Sequence, residues 1–186
     1  WSDIAKYITG SERMTKSIEV TALNSGSAVR AAIGDDILGD VVDLTIKGTI
    51  NSYDIVVLNQ KMPILQNLDL SEATIVACDY PYYQDLYSGA FCSTEDNTLG
   101  TRMFYAKSSL RKVVLPLNLV GGIGSEAFNG CSYLNSITIP EGITSIGEGV
   151  FKYFENVDIV MPSTIQKIGE EAFAYAYVNL YLNDEL

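Results

Sequence analysis

The feature that most constrains this chain is a phrase that occurs three times between residues 108 and 177. Each copy has an L-x-x-I-x-I-P segment, followed after a short gap by I-G-x-x-A-F-x-x-C or a close variant. The prolines of successive copies, Pro116, Pro140 and Pro162, are 24 and 22 residues apart, and the I-G dipeptides keep nearly the same step. A unit of about 22 residues cannot bury its own apolar face, so such units stack in series and share one core. The repeat therefore predicts a solenoid.

The segment before each proline has the alternation of a short β-strand. In the second copy Ile137 and Ile139 alternate with Ser136 and Thr138, and the other copies follow the same phase. Side chains alternate across a strand, so the apolar members point inward, and the proline, which has no N–H, ends the ladder. In the second half of the phrase the apolar residues are four to five and then three apart, which predicts a helical turn or a short helix.

These phrases resemble the leucine-rich repeats of the Bacteroides surface protein A-like (BspA-like) family. The resemblance implies an α/β repeat fold: a leucine-rich-repeat solenoid with short parallel strands on one face, short helices or turns on the other, and an N-terminal α/β capping region. In that family the cysteine of the phrase is a core packing residue. Here only Cys131 occupies this position, whereas Lys107, Phe154 and Ala176 stand at the same place in the other copies.

The resemblance also carries expectations about function. It implies a non-enzymatic bacterial protein of the cell surface, or a secreted one, that adheres to host extracellular-matrix proteins or to bacterial surface proteins. A signal peptide or lipid anchor would then lie outside the sequence in hand. It implies no cofactor.

Two regions are predicted along the chain. Residues 1–64 form a leader, 1–17, and the capping region; residues 65–186 form the leucine-rich repeats, with about five strand units. Within the cap we expect strands at 17–22 and 42–47, the second closed by Gly48, and helices from about Ser27 to Ile33 and over 53–62. At the far end VNLYL predicts one more strand, with Leu180 and Leu182 inward.

The register of the repeats is interrupted by an insertion at about 76–98. The insertion has four carboxylates and neither Lys nor Arg. Its aromatic residues include a candidate patch made of Tyr80, Tyr82, Tyr83 and Tyr87. Two interpretations stay open: an ordered loop whose rings cover the flank of the solenoid, or a contact patch for a glycan or a protein. Pairing of Cys78 with Cys92 is likewise open.

A second candidate surface follows from the strand phase. Stacked strands place their outward side chains in rows, and such faces bind proteins in solenoids. The candidate residues are Asn67, Asp69, Lys112, Val114, Ser136, Thr138, Asp158, Val160, Asn179 and Tyr181, with Asp43 and Thr45 at the cap. The mixture suits either an adaptable protein contact or a face that is merely solvated.

Composition excludes several other functions. A net charge of −11 with only 12 Lys and Arg excludes a phosphate-neutralising surface for nucleic acid. No apolar run approaches the roughly 18 residues that a membrane-spanning helix needs. Histidine is absent, which removes Ser-His and Cys-His catalysis and the commonest metal ligand. The carboxylates lie at outward or loop positions, where no pocket would separate two pKa values, so a hydrolase is only a remote alternative.

Overall fold

The computed structural model describes residues 13–182. The helices are α1 (Ala28–Ile33), α2 (Asp35–Leu38) and α3 (Ser52–Gln60). The strands are β1 (Thr15–Val20), β2 (Asp43–Ile50), β3 (Asn67–Asp69), β4 (Ala73–Ile75), β5 (Cys78–Gln84), β6 (Phe91–Thr94), β7 (Lys112–Val114), β8 (Gly121–Ile123), β9 (Ser136–Thr138), β10 (Ile143–Ile146), β11 (Glu155–Met161), β12 (Lys167–Ile168) and β13 (Tyr177–Leu182). Most of the predicted leader, residues 1–12, lies outside this range.

One parallel sheet runs through both predicted regions. Its strands follow the order β1-β2-β3-β7-β9-β11-β13, and β4 pairs with the second half of β2. The sheet passes without a break from the cap into the repeats, because β2 pairs with β3 and β3 with β7. The inward residues, such as Val113, Ile137 and Ile159, are buried, which is the phase that the sequence predicts.

The second half of each repeat forms turns and a short strand, not a helix. Strands β8, β10 and β12 build a second parallel sheet of three strands, and the I-G-x-x-A-F residues that follow form consecutive turns. The repeat is therefore a leucine-rich-repeat coil with strands on one side and turns on the other. The helical spacing was misleading because a flat turn also brings every third or fourth side chain inward.

The glycine of each I-G dipeptide is required by the stacking of these turns. A Cβ on Gly124 would lie 2.3 Å from the backbone nitrogen of Thr101, and one on Gly147 2.6 Å from that of Ser125. Gly169 has the same relation to Glu148, at 2.7 Å. Each turn thus rests directly on the backbone of the preceding turn, with no room for a side chain between them.

A ladder of phenylalanines fills the interior behind the turns. Phe104, Phe128, Phe151 and Phe173 stack with centroid separations of 5.5, 6.1 and 5.4 Å and nearly parallel rings. Cys131 lies fully buried beside them and donates its S–H to the Phe104 carbonyl at 3.0 Å. Burial raises the pKa of this thiol, which is a core packing residue in this structure.

The capping region matches the predicted elements closely. Ser27 caps α1 by accepting from Arg30 N–H, and Gly34 ends the helix. Asn51 and Asp54 form a capping box at the start of α3. The first strand begins two residues earlier than predicted. Gly48 does not close β2: the strand continues to Ile50, and Gly48 pairs both with Val20, the last residue of β1, and with Ala73, the first residue of β4.

A buried lysine joins the cap to the first repeat. Lys107 stands where the other copies have Cys131, Phe154 and Ala176, and it extends toward the C-terminal end of α3. Its Nζ donates to the carbonyls of Met62 at 2.6 Å and Asn59 at 3.4 Å. Burial lowers its pKa to about 8, so the ammonium form still predominates at neutral pH.

The last strand departs from the prediction in one respect. β13 pairs in parallel with β11, as expected, but Leu180 and Leu182 are 51% and 60% exposed. They keep the inward phase of the strand. No further strand of the described residues packs against them, so phase alone does not bury them.

Candidate functional site

The predicted strand face exists as two rows of outward side chains in register. The first row is Thr15, Asp43, Asn67, Lys112, Ser136, Asp158 and Asn179, and the second is Ser17, Thr45, Asp69, Val114, Thr138, Val160 and Tyr181. We call these two rows the strand face. Because neighbouring strands lie about 4.8 Å apart, seven strands extend over roughly 29 Å. All twelve residues that the sequence analysis gave for this face lie in the two rows.

The N-terminal end of the strand face is occupied by internal contacts. Asp43 accepts from Arg13 Nε at 2.5 Å and Nη2 at 2.8 Å, and from Asn67 Nδ2 at 2.7 Å. The Arg13 guanidinium holds the pKa of Asp43 below its usual value. At the other end Asn179 Nδ2 donates to Asp158 at 2.9 Å. These pairs fix the ends of the first row.

The centre of the strand face has free hydrogen-bonding capacity. Within residues 13–182, the side chains of Lys112, Ser136 and Thr138 take part in no hydrogen bond or ion pair with the chain, and Thr138 is exposed. A shallow depression of about 280 Å³ extends from Lys112 toward the N-terminal end of the strand face, and its lining includes Asp43, Asn67, Asp69 and Val114. The centre can therefore exchange water for partner groups without breaking an internal bond.

The insertion that interrupts the predicted register folds as an antiparallel hairpin of β5 and β6. Its register shifts between Cys78 and Tyr83, and Pro81, which cannot donate to a ladder, lies in the shifted segment. Cys78 is opposite Thr94 and Cys92 is opposite Tyr83, and both thiols are free. The open question of a disulfide is thus answered: the structure has none between them.

The four candidate tyrosines of the insertion do not form one patch, which corrects that expectation. Tyr80 stacks on Tyr53 of α3 with centroids 4.2 Å apart. Tyr82 is buried and donates its O–H to the Thr101 carbonyl at 2.7 Å, and this burial raises its pKa. Rings at successive positions of a bulged strand point in different directions, which sequence alone could not resolve.

Tyr83 belongs to an ion-pair node around Arg102. This arginine donates to Glu126 at 2.5 Å and to Asp85 at 2.6 Å, and its guanidinium lies over the rings of Tyr83 and Tyr105. The carboxylates raise the pKa of Arg102, and Arg102 in turn lowers that of Asp85. Arg102 thus supplies the cation that the insertion lacks and fixes the hairpin to the turn layer of the first repeat.

Tyr87 lies at the tip of the hairpin and is fully exposed. It shares no contact with the other three tyrosines, and its neighbour Leu86 is nearly as exposed. Leu86 is not among the residues predicted from the sequence. The available signal for an exposed turn was its sequence context, with Asp85 before it and Ser88-Gly89 two residues after it.

A cleft between the hairpin and the repeats was also unforeseen. Its volume is about 360 Å³, and its lining includes Tyr82, Phe91, Glu95, Thr98 and the backbone of Gly122. It brings one exposed aromatic ring and one exposed carboxylate to the same opening. Only the docking of the hairpin on the repeats creates this cleft, so no single segment of sequence could indicate it.

The rest of the described chain was searched for metal ligands, membrane-spanning helices and buried carboxylates. Among residues 13–182, no three His, Cys, Asp or Glu side chains lie close enough to hold a metal ion. None of the helices in that range is long and apolar enough to cross a membrane. Asp54 is buried, but all its contacts cap helices, so it serves the fold.

Comparison with known proteins agrees with this architecture. The family model described as "BspA type Leucine rich repeat region (6 copies)" matches residues 97–183. No curated protein matches the chain. The matched segment holds the three clearest copies of the phrase, the stacked turns and the phenylalanine ladder, and leucine-rich repeats of this kind support a module for protein interaction. The repeats at residues 97–183 are thus of the BspA-type leucine-rich-repeat family.

Proposed function

We propose that this chain is a non-enzymatic interaction module that binds a protein through the centre of the strand face. The observation that carries the proposal is the uncommitted centre of the two rows. Lys112, Ser136 and Thr138 are held in register by the sheet and make no side-chain bonds with the described residues, 13–182, while carboxylate–amide hydrogen bonds fix both ends of the first row. A surface that the sheet already holds in one conformation loses little conformational entropy on binding.

The proposal extends to the place of action and the class of partner. Proteins of a bacterial surface, or secreted ones, meet host extracellular-matrix proteins and the surface proteins of other bacteria. The family makes this expectation reasonable, and the mixed polar character of the strand face suits a protein contact better than an enclosed small-molecule site.

A test compares three forms of the chain on immobilised fibronectin, laminin and fibrinogen by surface plasmon resonance at physiological ionic strength. The test variant is Lys112→Ala/Ser136→Ala/Thr138→Ala. The matched control is Glu148→Ala/Lys167→Ala, two exposed charges outside the strand face. We expect the control to bind with the affinity of the wild type. The affinity of the test variant should fall about tenfold or more, because truncation of central interface residues costs more than about 1.4 kcal/mol of binding free energy. Equal binding by all three forms would contradict the proposal, and so would failure of the wild type on every protein.

Glycan binding is a second candidate, and the cleft is the observation that favours it. Aromatic rings pack on the apolar faces of sugars, and Phe91 and Glu95 supply a ring and a carboxylate in a space of about 360 Å³. The candidate site thus moves from the four tyrosines to the cleft, which keeps only Tyr82 of them, as a wall.

The glycan candidate has its own test. On a glycan array, Phe91→Ala should lose any signal that the wild type gives, whereas Tyr177→Ala, which removes another exposed ring, should keep it. A signal that survives Phe91→Ala would remove the cleft as the site.

A further inference from the structure

We propose that the cleft between the hairpin and the repeats binds a glycan with free amino groups, that is, a chain of unacetylated hexosamine, and excludes acidic glycans. This proposal rests on the glycan candidate described above and adds the charge that the sugar carries. Three features of the lining support it: an unpaired carboxylate, an exposed aromatic ring and two free hydroxyl groups.

The charge of the cleft comes from one carboxylate. Among the described residues that line the cleft, Glu95 is the one acidic residue, and none is Lys or Arg. Glu95 is exposed, and its carboxylate takes part in no hydrogen bond or ion pair within residues 13–182. The neighbouring Asp96 is not part of the lining, and its Oδ1 accepts from Ala77 N–H at 2.8 Å. The cleft therefore offers a ligand one unpaired negative charge.

The groups around Glu95 leave this charge unbalanced. Burial raises the pKa of the Cys92 thiol in the lining, so the thiol is uncharged at neutral pH. Arg102, the cation that acts on Cys92, is already paired with Asp85 at 2.6 Å and Glu126 at 2.5 Å. A sugar with a carboxylate or sulfate group would meet repulsion from Glu95, in a chain of net charge −11. Acidic glycans are therefore excluded.

The exposed ring of the cleft favours a cation as well. Phe91 is 63% exposed and shares the lining with Glu95. An ammonium group within about 6 Å of the face of an aromatic ring is attracted to it. A hexosamine can cover the Phe91 ring with the apolar face of its pyranose and direct a protonated amino group toward Glu95. The same sugar with an acetylated nitrogen has no charge to offer to either residue.

Two hydroxyl groups of the lining are free to bind a sugar. Within the described chain, the side chains of Ser93 and Thr101 take part in no hydrogen bond, whereas Tyr82 already donates its O–H to the Thr101 carbonyl. A hydroxyl group both donates and accepts hydrogen bonds, as the hydroxyls of a sugar do. A lysine side chain of a basic peptide would satisfy Glu95 alone. The lining thus suits an amino sugar better than a peptide.

The cleft has a defined shape without a ligand. Its floor consists of two adjacent stretches of backbone, joined by the hydrogen bond from Gly124 N–H to the Leu99 carbonyl at 2.8 Å. The hairpin wall is held by the Tyr82 O–H, which reaches the Thr101 carbonyl at 2.7 Å. Gly100 permits this contact, because a Cβ there would lie 2.4 Å from the Tyr82 oxygen. Fixed walls reduce the conformational entropy lost on binding.

The test uses three oligosaccharides of equal length as probes: a glucosamine pentamer, its N-acetylated form and a galacturonic acid pentamer. Pentalysine is a fourth probe, with ammonium groups but no sugar. Calorimetry in mildly acidic buffer, where the sugar amino groups are protonated, measures their affinities for the full wild-type chain, Glu95→Gln and Glu148→Gln. Glu148 is an exposed carboxylate outside the cleft, so both variants remove one negative charge and only the first changes the lining.

We expect the wild type to bind the glucosamine pentamer about fivefold more tightly than its N-acetylated form, as for one exposed ion pair. The galacturonic acid pentamer should bind at least about tenfold more weakly than the N-acetylated form, because its carboxylates face Glu95. Glu95→Gln should remove most of the preference for the amino form, and Glu148→Gln should keep it. Equal losses in the two variants would overturn the proposal, since net charge alone would then attract the probe.

The other probes separate this proposal from the glycan candidate on which it rests. Pentalysine that binds as tightly as the glucosamine pentamer would overturn the proposal and assign the cleft to a basic peptide. If the amino form gains nothing, but the N-acetylated form binds and Phe91→Ala abolishes that binding, the glycan candidate stands and this proposal is wrong. If none of the three oligosaccharides binds the wild type, both are wrong. Thermal unfolding of each variant verifies that the fold is kept.

Discussion

The capping region and the repeats share one sheet but close the space behind it in different ways. In the cap, α3 lies behind β2, and its ends are satisfied by buried polar side chains. In the repeats, stacked turns lie behind β7, β9 and β11. There the backbones satisfy one another: the N–H groups of Arg102, Phe104 and Ala106 donate to the carbonyls of Ser125, Ala127 and Asn129.

The difference explains why the helix is at the end and the turns are repeated. A helix leaves unpaired N–H groups at its start and unpaired carbonyls at its end. The chain meets the first need with Asp54, which accepts from Ser27 Oγ at 2.6 Å, Val29 N–H at 2.9 Å and Asn51 N–H at 3.1 Å. It meets the second with Lys107. A turn bonded to the next turn needs no such side chains.

The turns have a conformational cost of their own. In each copy the residues two and six positions after the I-G glycine have positive φ. These residues are Arg102, Ala106, Glu126, Gly130, Gly149, Tyr153, Glu171 and Tyr175. Only two of them are glycine, and a non-glycine residue in this region costs about 1 kcal/mol. The repeat layer therefore combines favourable stacking with local backbone strain.

The largest effect should come from the middle of the phenylalanine ladder. Phe151→Ala removes a fully buried ring that contacts two stacked neighbours and should lower the free energy of unfolding by about 3–5 kcal/mol. Phe173, at the end of the ladder, is only partly buried, so Phe173→Ala should cost about half as much. Urea unfolding measures both, and equal losses would contradict the stacking order.

In the cap, Asp54→Ala should lower the free energy of unfolding by about 3 kcal/mol, because three buried donors lose their acceptor. Asp54→Asn keeps an acceptor oxygen and should cost less. Hydrogen exchange at the amides of Val29 and Asn51 locates the damage. Unchanged exchange at both amides would show that the two helix starts do not depend on this carboxylate.

Lys107 gives the cap and the repeats a shared dependence on pH. Its folded pKa of about 8 lies below the unfolded value near 10.5, so between these values the unfolded chain holds the proton more tightly. Raising the pH through this window should therefore stabilise the wild type relative to Lys107→Met, by about 1–2 kcal/mol after allowance for screening. Tyrosine ionisation affects both proteins alike, so its contribution cancels in the difference between their free energies of unfolding. A difference that stays flat from pH 7 to 11 would refute this account.

The strain in the turns can be tested with a matched pair. Ala106 has a φ of 56°, so Ala106→Gly should raise the free energy of unfolding by up to about 1 kcal/mol. Gly130 occupies the equivalent position, and its added Cβ would also lie 3.2 Å from the Ala106 Cα. Gly130→Ala should therefore lower the free energy of unfolding by somewhat more than about 1 kcal/mol, because it adds both the backbone strain of a positive φ and a close contact with Ala106. Thermal unfolding should show opposite signs.

The smallest effect on stability should come from the strand face. Thr138→Ala removes an exposed hydroxyl that has no partner within residues 13–182, and it should change the free energy of unfolding by less than about 0.5 kcal/mol. A larger loss would mean that the centre of the strand face serves the fold rather than a partner.

Several of these features could be predicted from sequence because they are local or periodic. The alternation around Ile137 sets the inward phase of every strand, and the recurrence of I-G-x-x-A-F sets the number of stacked units. The strand face followed, since parallel strands in a fixed phase must align their outward residues. The helix start at Ser27 was also predicted, because a cap needs only a residue type at one position.

Other features depended on contacts between distant segments. The docking of the hairpin by Arg102, Ser52 and Tyr82 joins three separate parts of the chain, and it decides which tyrosines are buried and where the cleft lies. The turn conformation depended on hydrogen bonds to the next repeat, which spacing cannot distinguish from a helix. Sequence determined the repeat and its phase because hydrophobic periodicity is a property of each strand by itself. Tertiary structure decided the surfaces, because exposure depends on what packs against a residue.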